Sequence, residues 1–423
     1  MKTFTKKIFP NKLTLITVPK SGAFTATVLV LVETGSKYET KDINGISHFL
    51  EHMCFKGTKK RPRAIDVSGE LDSIGAAYNA FTGHEYTGYY AKVDKAHIEK
   101  ALDVVSDIYL NQIFRPEEIK KESGVIIEEI NMYEDDPKRK IYDNFTELLY
   151  GDTPAGWNIA GNRETVRAVN ERKLSSYRDK HYVAEATTVI VSGAINEAKI
   201  TRLVQEKFSG IRSTKKYPKK KVLEKQTKPR ISLEYKKSDQ SHILLGVRTF
   251  SVKDPRNLPL RVLSAVLGGG MSSRLFQTIR EKLGAAYYVR SFVDDYTDHG
   301  YLGVSVGADT RRTKEVIKAV LSEFKKLVRE PVPSSELKRM RDYLIGTTSL
   351  SLETTDEVAY YYGLQYVLKK DIKTPEEFIK MISQIEAKDI QDIARQIFIE
   401  RKLNVALIGP IKEKNEIVPL LTL

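Results

Sequence analysis

One order of features occurs twice along this chain, and the repetition narrows the fold more than any single residue does. An apolar, β-branched run at residues 26–32 (ATVLVLV) has a counterpart at 242–247 (HILLGV), each suited to a buried strand and followed by a helical stretch. Residues 88–93 (GYYAKV) and 300–306 (GYLGVSV) repeat as strands, and each leads into an amphipathic helix, at 96–109 and 313–328. The register continues at 114–122 and 332–340, where a proline at or near a helix start precedes a charged, periodic helix. Between the copies, residues 212–230 carry nine Lys and Arg and two prolines with few apolar residues, the composition of an exposed linker. The pattern predicts an α+β fold of two homologous α/β-sandwich-like domains, residues 1–211 and 231–423, joined by a basic linker at 212–230.

Composition sets the outer limits. With 423 residues, 41% hydrophobic and 29% charged, the chain has material for sizeable cores and is neither disordered nor collagenous. The single cysteine, Cys54, excludes an intrachain disulfide and a Cys-based zinc cage, and fits a reducing compartment, so a cytoplasmic location is expected. Residues 1–20 lack the apolar core and cleavage site of a secretory signal, and nowhere do 18 apolar residues run together, so no membrane span is expected. The formal charge of +14 raises the question of a nucleic-acid partner. Its basic runs at 56–63 and 215–228 have no aromatic interleaving and read as solvated faces and a linker, so no nucleic-acid function is expected.

The segment 45–57 (GISHFLEHMCFKG) contains His48, Glu51 and His52 as HxxEH, the inverse of HExxH. Residues four apart on a helix lie one turn above each other, so His48 and His52 can aim ring nitrogens at one zinc ion. Glu51 stands beside them, close enough to a metal-bound water to act as general base without being a ligand. A catalytic zinc takes three protein ligands and keeps one position open, so a further His, Asp or Glu is required. In residues 116–130, Glu122 and Glu129 are two helical turns apart and share a face, while Glu128 points about 100° away. This spacing offers Glu129 as the ligand and Glu122 as a second carboxylate that orients the ligand shell, with Glu128 next in line and a solvated face as the plain alternative for Glu122.

These residues resemble the M16 metallopeptidases, the pitrilysin, insulin-degrading and mitochondrial-processing peptidase family of inverzincins, in its shorter two-domain form. The resemblance spans nearly the whole chain. It rests on His48 to His52, on the 76 residues between His52 and Glu129, and on the pair Glu122 and Glu129. It implies that Asn79, Ala80 and Phe81 lie on a strand that meets substrate backbone by β-augmentation. It also implies a substrate-facing glycine-rich loop at Gly268, Gly269 and Gly270 and a functional pair in Arg280 and Tyr287. By themselves the glycines fit no phosphate-loop pattern, and Arg280 and Tyr287 read as a structural ion pair and a packed aromatic.

The second half has no HxxEH, and Gly346 or Thr347 stands roughly where Glu129 stands in the first, so one zinc per chain is expected. The resemblance implies a zinc metalloendopeptidase acting on peptides or unfolded polypeptides, built as a clam-like chamber from two chains. A homodimer is the first expectation and a heterodimer the second. Arg280 and Tyr287 then act in cis or on the partner chain's zinc. The rival reading is a non-catalytic scaffold of the same fold, or one subunit of a hetero-oligomeric processing peptidase. Residues 154–161 (PAGWNIAG) follow the family wording only loosely, which leaves substrate preference open.

Overall fold

A computed structural model describes residues 3–423. Eleven strands form two sheets among the described residues. The first has six strands: β1 (Thr5–Ile8), β2 (Thr14–Pro19), β3 (Thr25–Val32), β4 (Ala77–Thr82), β5 (Thr87–Asp94) and β6 (Thr187–Gly193), in the order β1-β2-β6-β3-β5-β4. The second has five: β7 (Arg230–Tyr235), β8 (Gln240–Thr249), β9 (Ala286–Asp295), β10 (Gly300–Asp309) and β11 (Leu403–Gly409), in the order β7-β11-β8-β10-β9. In each, one parallel pair (β2 with β6, β7 with β11) adjoins a run of antiparallel pairs. The five strands of the second sheet therefore repeat β2 to β6 of the first, which is the duplication anticipated from sequence, with β1 added at one edge.

The apolar runs are strands buried on both faces, where each residue finds a partner and alternation decides which. Along β3, Ala26, Val28, Val30 and Val32 join the larger core of the first unit, while Leu29 and Leu31 join a smaller one on the opposite face. Along β8 and β11, Ile243, Leu245, Val405 and Leu407 point one way, and Leu244, Ala406 and Ile408 the other. The helices foreseen at 96–109 and 313–328 are Ile98–Leu110 and Thr313–Arg329.

The chain forms two compact units, and each includes a segment from the other side of the 212–230 stretch. The first comprises the chain to Asn131, Trp157–Lys220 and Leu350–Ile372; the second comprises Met132–Gly156, Lys221–Ser349 and Lys373–Leu423. The helix Thr355–Lys369 covers the smaller core of the first sheet through Val358, Ala359, Tyr362 and Tyr366. The helix Pro137–Tyr150 does the same for the second sheet through Ile141, Phe145 and Leu149. Residues 212–229 form neither helix nor strand and are mostly exposed. They are nonetheless anchored: Lys219 pairs with the buried Glu85 at 2.9 Å, and the Gln226 amide donates to Leu403 O at 3.1 Å. No helix among the described residues is long and apolar enough to cross a membrane.

Candidate metal centre

The HxxEH segment is the helix Ile46–Met53. Ile46, Phe49, Leu50 and Met53 are buried in the first unit's main core, which fixes the helix so that His48, Glu51 and His52 share the other side. Its N-terminus is held by two devices. The buried Glu39 carboxylate accepts from the Ser47 and Gly45 amides, both at 2.8 Å, and from Asn44 Nδ2 at 3.0 Å, satisfying helix-start donors that have no partner within the helix. Burial pushes the Glu39 pKa up to about 7 against those bonds. The second device is backbone contact. Gly45 has φ +94° and a Cβ there would meet Ala160 O at 2.5 Å, while Gly161 has φ +77° and a Cβ there would meet Asn44 O at 2.4 Å. Asn44 Nδ2 also donates to Asn158 O at 3.0 Å. Residues 158–161 thus buttress the start of the histidine helix.

The long helix Pro116–Asp135 supplies the carboxylates. Glu129 Oε2 lies 3.7 Å from His48 Nε2 and 3.6 Å from His52 Nε2, and the three ligand-type atoms all fall within 4.8 Å of one another. Ligands about 2.1 Å from a tetrahedral zinc stand about 3.4 Å apart. Two imidazoles and a carboxylate are also a donor set zinc takes, so these residues fit the ion with a fourth position left over. Among the described residues this is the one such group found. Glu128, by contrast, accepts from Asn131 on the exposed side.

The two imidazoles are held differently. His52 Nδ1 bonds Glu122 Oε1 at 2.9 Å, and Glu122 Oε2 lies 2.6 Å from Lys56 Nζ. His48 Nδ1 is buried with no hydrogen-bond partner among the described residues, so packing alone orients that ring. Burial, and after it the charge on His52, pushes the His48 pKa down to about 4. Burial also works against a charged His52, but the Glu122 bond and the carboxylates of Glu51 and Glu129 outweigh it and hold its pKa above the ordinary value. For Glu122 burial is outweighed by the bonds to His52 and Lys56, which keep it ionised below the usual carboxylate range. Three carboxylates around two imidazoles thus favour positive charge at this spot, which a proton on His52 or a divalent cation supplies.

Glu51 stands beside this group, and burial raises its pKa while a hydrogen bond from Thr82 Oγ1 to Oε2, at 2.5 Å, opposes the rise. Thr82 ends β4, the free edge of the first sheet, and β4 also carries Asn79, Ala80 and Phe81. Ala80 packs into the main core, whereas the Phe81 ring lies against Tyr86 and Tyr360 on the opposite face. Only the backbone of Phe81 belongs to the edge beside Glu51. The second unit holds the remaining sequence-derived residues. Gly268 ends the helix Asn257–Gly268 within reach of Ser291, Gly269 packs on Ala265 and Gly270 faces Tyr343. Arg280 Nη1 donates to Tyr287 O at 2.9 Å, and the Tyr287 ring is 61% exposed, so it is not a packed core aromatic. A Cβ on Gly346 would meet open space, and Thr347 Oγ1 donates to Tyr343 O in its own helix.

Lys56, Thr82 and Glu39 were not singled out by sequence. Lys56 follows His52 by four residues, a spacing that could have flagged it. Thr82 is far in sequence from Glu51, and Glu39, though only six to eight residues from the amides it caps, lies outside their helix.

The family model described as insulinase, peptidase family M16, matches residues 15–163, and that described as the peptidase M16 inactive domain matches residues 168–344. The chain is 37% identical to YmxG of Bacillus subtilis, over 90% of this chain and 92% of that protein. It is 32% identical to a protein of Streptomyces coelicolor, over 97% of this chain and 91% of the other. Both are named uncharacterized zinc proteases. A protease from Helicobacter pylori shares the fold, with a TM-score of 0.90 at 21% identity over 96% of this chain and 99% of the other. A likeness of this extent, with family matches on both halves, leaves one assignment: the chain is a member of the M16 peptidase family.

Proposed function

We propose that the chain is a zinc-dependent endopeptidase that hydrolyses peptides or unfolded polypeptides. The observation that carries the reading is the convergence of His48 Nε2, His52 Nε2 and Glu129 Oε2, with the unligated carboxylate of Glu51 alongside. A zinc ion held there supplies a water whose pKa is lowered towards about 7 and a Lewis acid for the scissile carbonyl. Glu51 takes the proton of the attacking water and passes it to the leaving amine. Glu122 keeps the Nδ1 of His52 engaged, so that Nε2 stays directed at the cluster. The free edge of β4 at Asn79 and Ala80 pairs with an extended substrate backbone. Arg280 positions the substrate chain and the exposed Tyr287 hydroxyl donates to the developing oxyanion, from the same chain or from a second copy in a clam-like dimer. The reading takes one zinc per chain, supported by the one donor group found among the described residues.

The test is a mass-spectrometric digest of a mixed peptide library by the zinc-loaded protein beside Glu51→Gln, which keeps every ligand and removes the base. Cleavage by the wild type alone is the expected result and gives the bond preference at once. No cleavage by either protein overturns the reading in favour of a scaffold or a subunit that needs a different partner.

A further inference from the structure

The hydrogen bond from Thr82 to Glu51 joins the edge strand to the group that moves the proton. Side chains on a strand alternate between faces, and on β4 Tyr78, Ala80 and Thr82 share the face towards the histidine helix. Tyr78 stacks on Phe55 at 6.3 Å between centroids and Ala80 is buried, so this face of β4 is fixed by packing just before it reaches Thr82. The Thr82 hydroxyl then spends its donor on Glu51 Oε2, while Glu51 Oε1 makes no hydrogen bond among the described residues. A Glu carboxylate turns freely about its last torsion, which is broad and roughly two-fold, so without a donor either oxygen can face the reacting water, in any of several planes.

We propose that Thr82 is a positioning residue for Glu51. Its hydroxyl holds Oε2, sets the plane of the carboxylate and leaves Oε1 as the oxygen that accepts the proton. Because Thr82 lies two residues beyond Ala80 on the same strand, a substrate backbone that pairs with the β4 edge also steadies the strand that holds the base. The inference rests on the assignment of Glu51 as general base.

The experiment compares Thr82→Val, which keeps shape and removes the donor, with Thr82→Ser, which restores it, in the zinc-loaded full chain beside wild type and Glu51→Gln. The expected result for Thr82→Val is a kcat lowered about tenfold or more, since small misplacements of a catalytic group are costly. KM and zinc affinity, the latter from chelator competition, stay within about twofold, and Thr82→Ser recovers kcat to within about threefold of wild type. Thr82→Val turning over at the wild-type rate overturns the proposal, as does a loss of zinc affinity parallel to the loss of kcat, or a failure of Thr82→Ser to recover. A wild type that cleaves nothing, or a Glu51→Gln variant that cleaves as well as wild type, overturns the base assignment and this proposal with it. The two failures are read from different arms.

Discussion

Glu122 Oε1 stands 2.9 Å from His52 Nδ1, so a carboxylate outside the donor cluster determines which nitrogen of that histidine faces it. Glu122 is itself buried and fixed at its other oxygen by Lys56. The arrangement is a carboxylate–histidine pair of the kind that raises ligand basicity and removes rotational freedom before the metal arrives.

Glu122→Gln is therefore expected to weaken zinc binding by about 10- to 100-fold while leaving the fold intact. Competition with a chromophoric chelator measures it. An affinity equal to wild type would reduce Glu122 to a partner of Lys56 with no bearing on the metal.

Gly161→Ala is expected to destabilise the first unit by about 3 kcal/mol or more, because it combines a positive φ with a Cβ driven into a backbone oxygen that has nowhere to move. Gly124 makes a control of opposite sign. It lies inside the helix Pro116–Asp135 with no atom within 4 Å of an added Cβ, so Gly124→Ala should stabilise by about 1 kcal/mol. Denaturant midpoints that move the same way for both variants would remove the close approach of residues 44–45 and 160–161 as the cause.

His181 supplies a pH dependence. It is buried against Tyr177, with ring centroids 4.2 Å apart, and burial followed by the charge of Lys180 pushes its pKa down to about 3. A base whose folded pKa lies below its unfolded value of about 6.5 is favoured neutral, so its contribution is complete above pH 6.5 and is lost as pH falls. Between pH 7 and pH 5 the wild type should lose about 2 kcal/mol relative to His181→Phe, which has no proton to take up. Parallel stability profiles for the two proteins over that range would mean that the ring gains its proton without cost.

Much of this architecture is legible in the sequence. His48, Glu51 and His52 lie within one helical turn and a quarter, so helix geometry alone places them together. Glu129 needed only a seven-residue spacing to pair it with Glu122 and the family resemblance to link it to His52. Strands such as β3 announce themselves as apolar runs because both faces are buried. What the sequence hides are pairings between separate elements: Thr82 with Glu51, Glu39 with the Gly45 and Ser47 amides, Gly161 with Asn44. A hydrogen-bonding side chain in a sequence carries no mark of its partner. Alternation, by contrast, is legible: counting on from Ala80 already sends the Phe81 ring to the far face and leaves its backbone on the β4 edge. Nor does an amphipathic helix name the sheet it will cover, which is why Pro137–Tyr150 and Thr355–Lys369 were not assigned to theirs.

That last assignment bears on how the chain must be made. Ile16, Val18, Leu29, Leu31 and Ile190 come early in synthesis, yet the helix that covers them is completed only at Lys369. Five aliphatic side chains left wet forgo on the order of 10 kcal/mol, comparable to the whole stability of an ordinary domain. A ribosome-bound fragment ending near residue 230 therefore carries every strand of the first sheet with a greasy, uncovered back, a species inclined to aggregate or to recruit a chaperone until the remaining chain emerges. For the same reason the histidine-bearing half cannot be cut out at 212–230 as a self-sufficient miniature enzyme; a working excision would have to carry residues 350–372 with it.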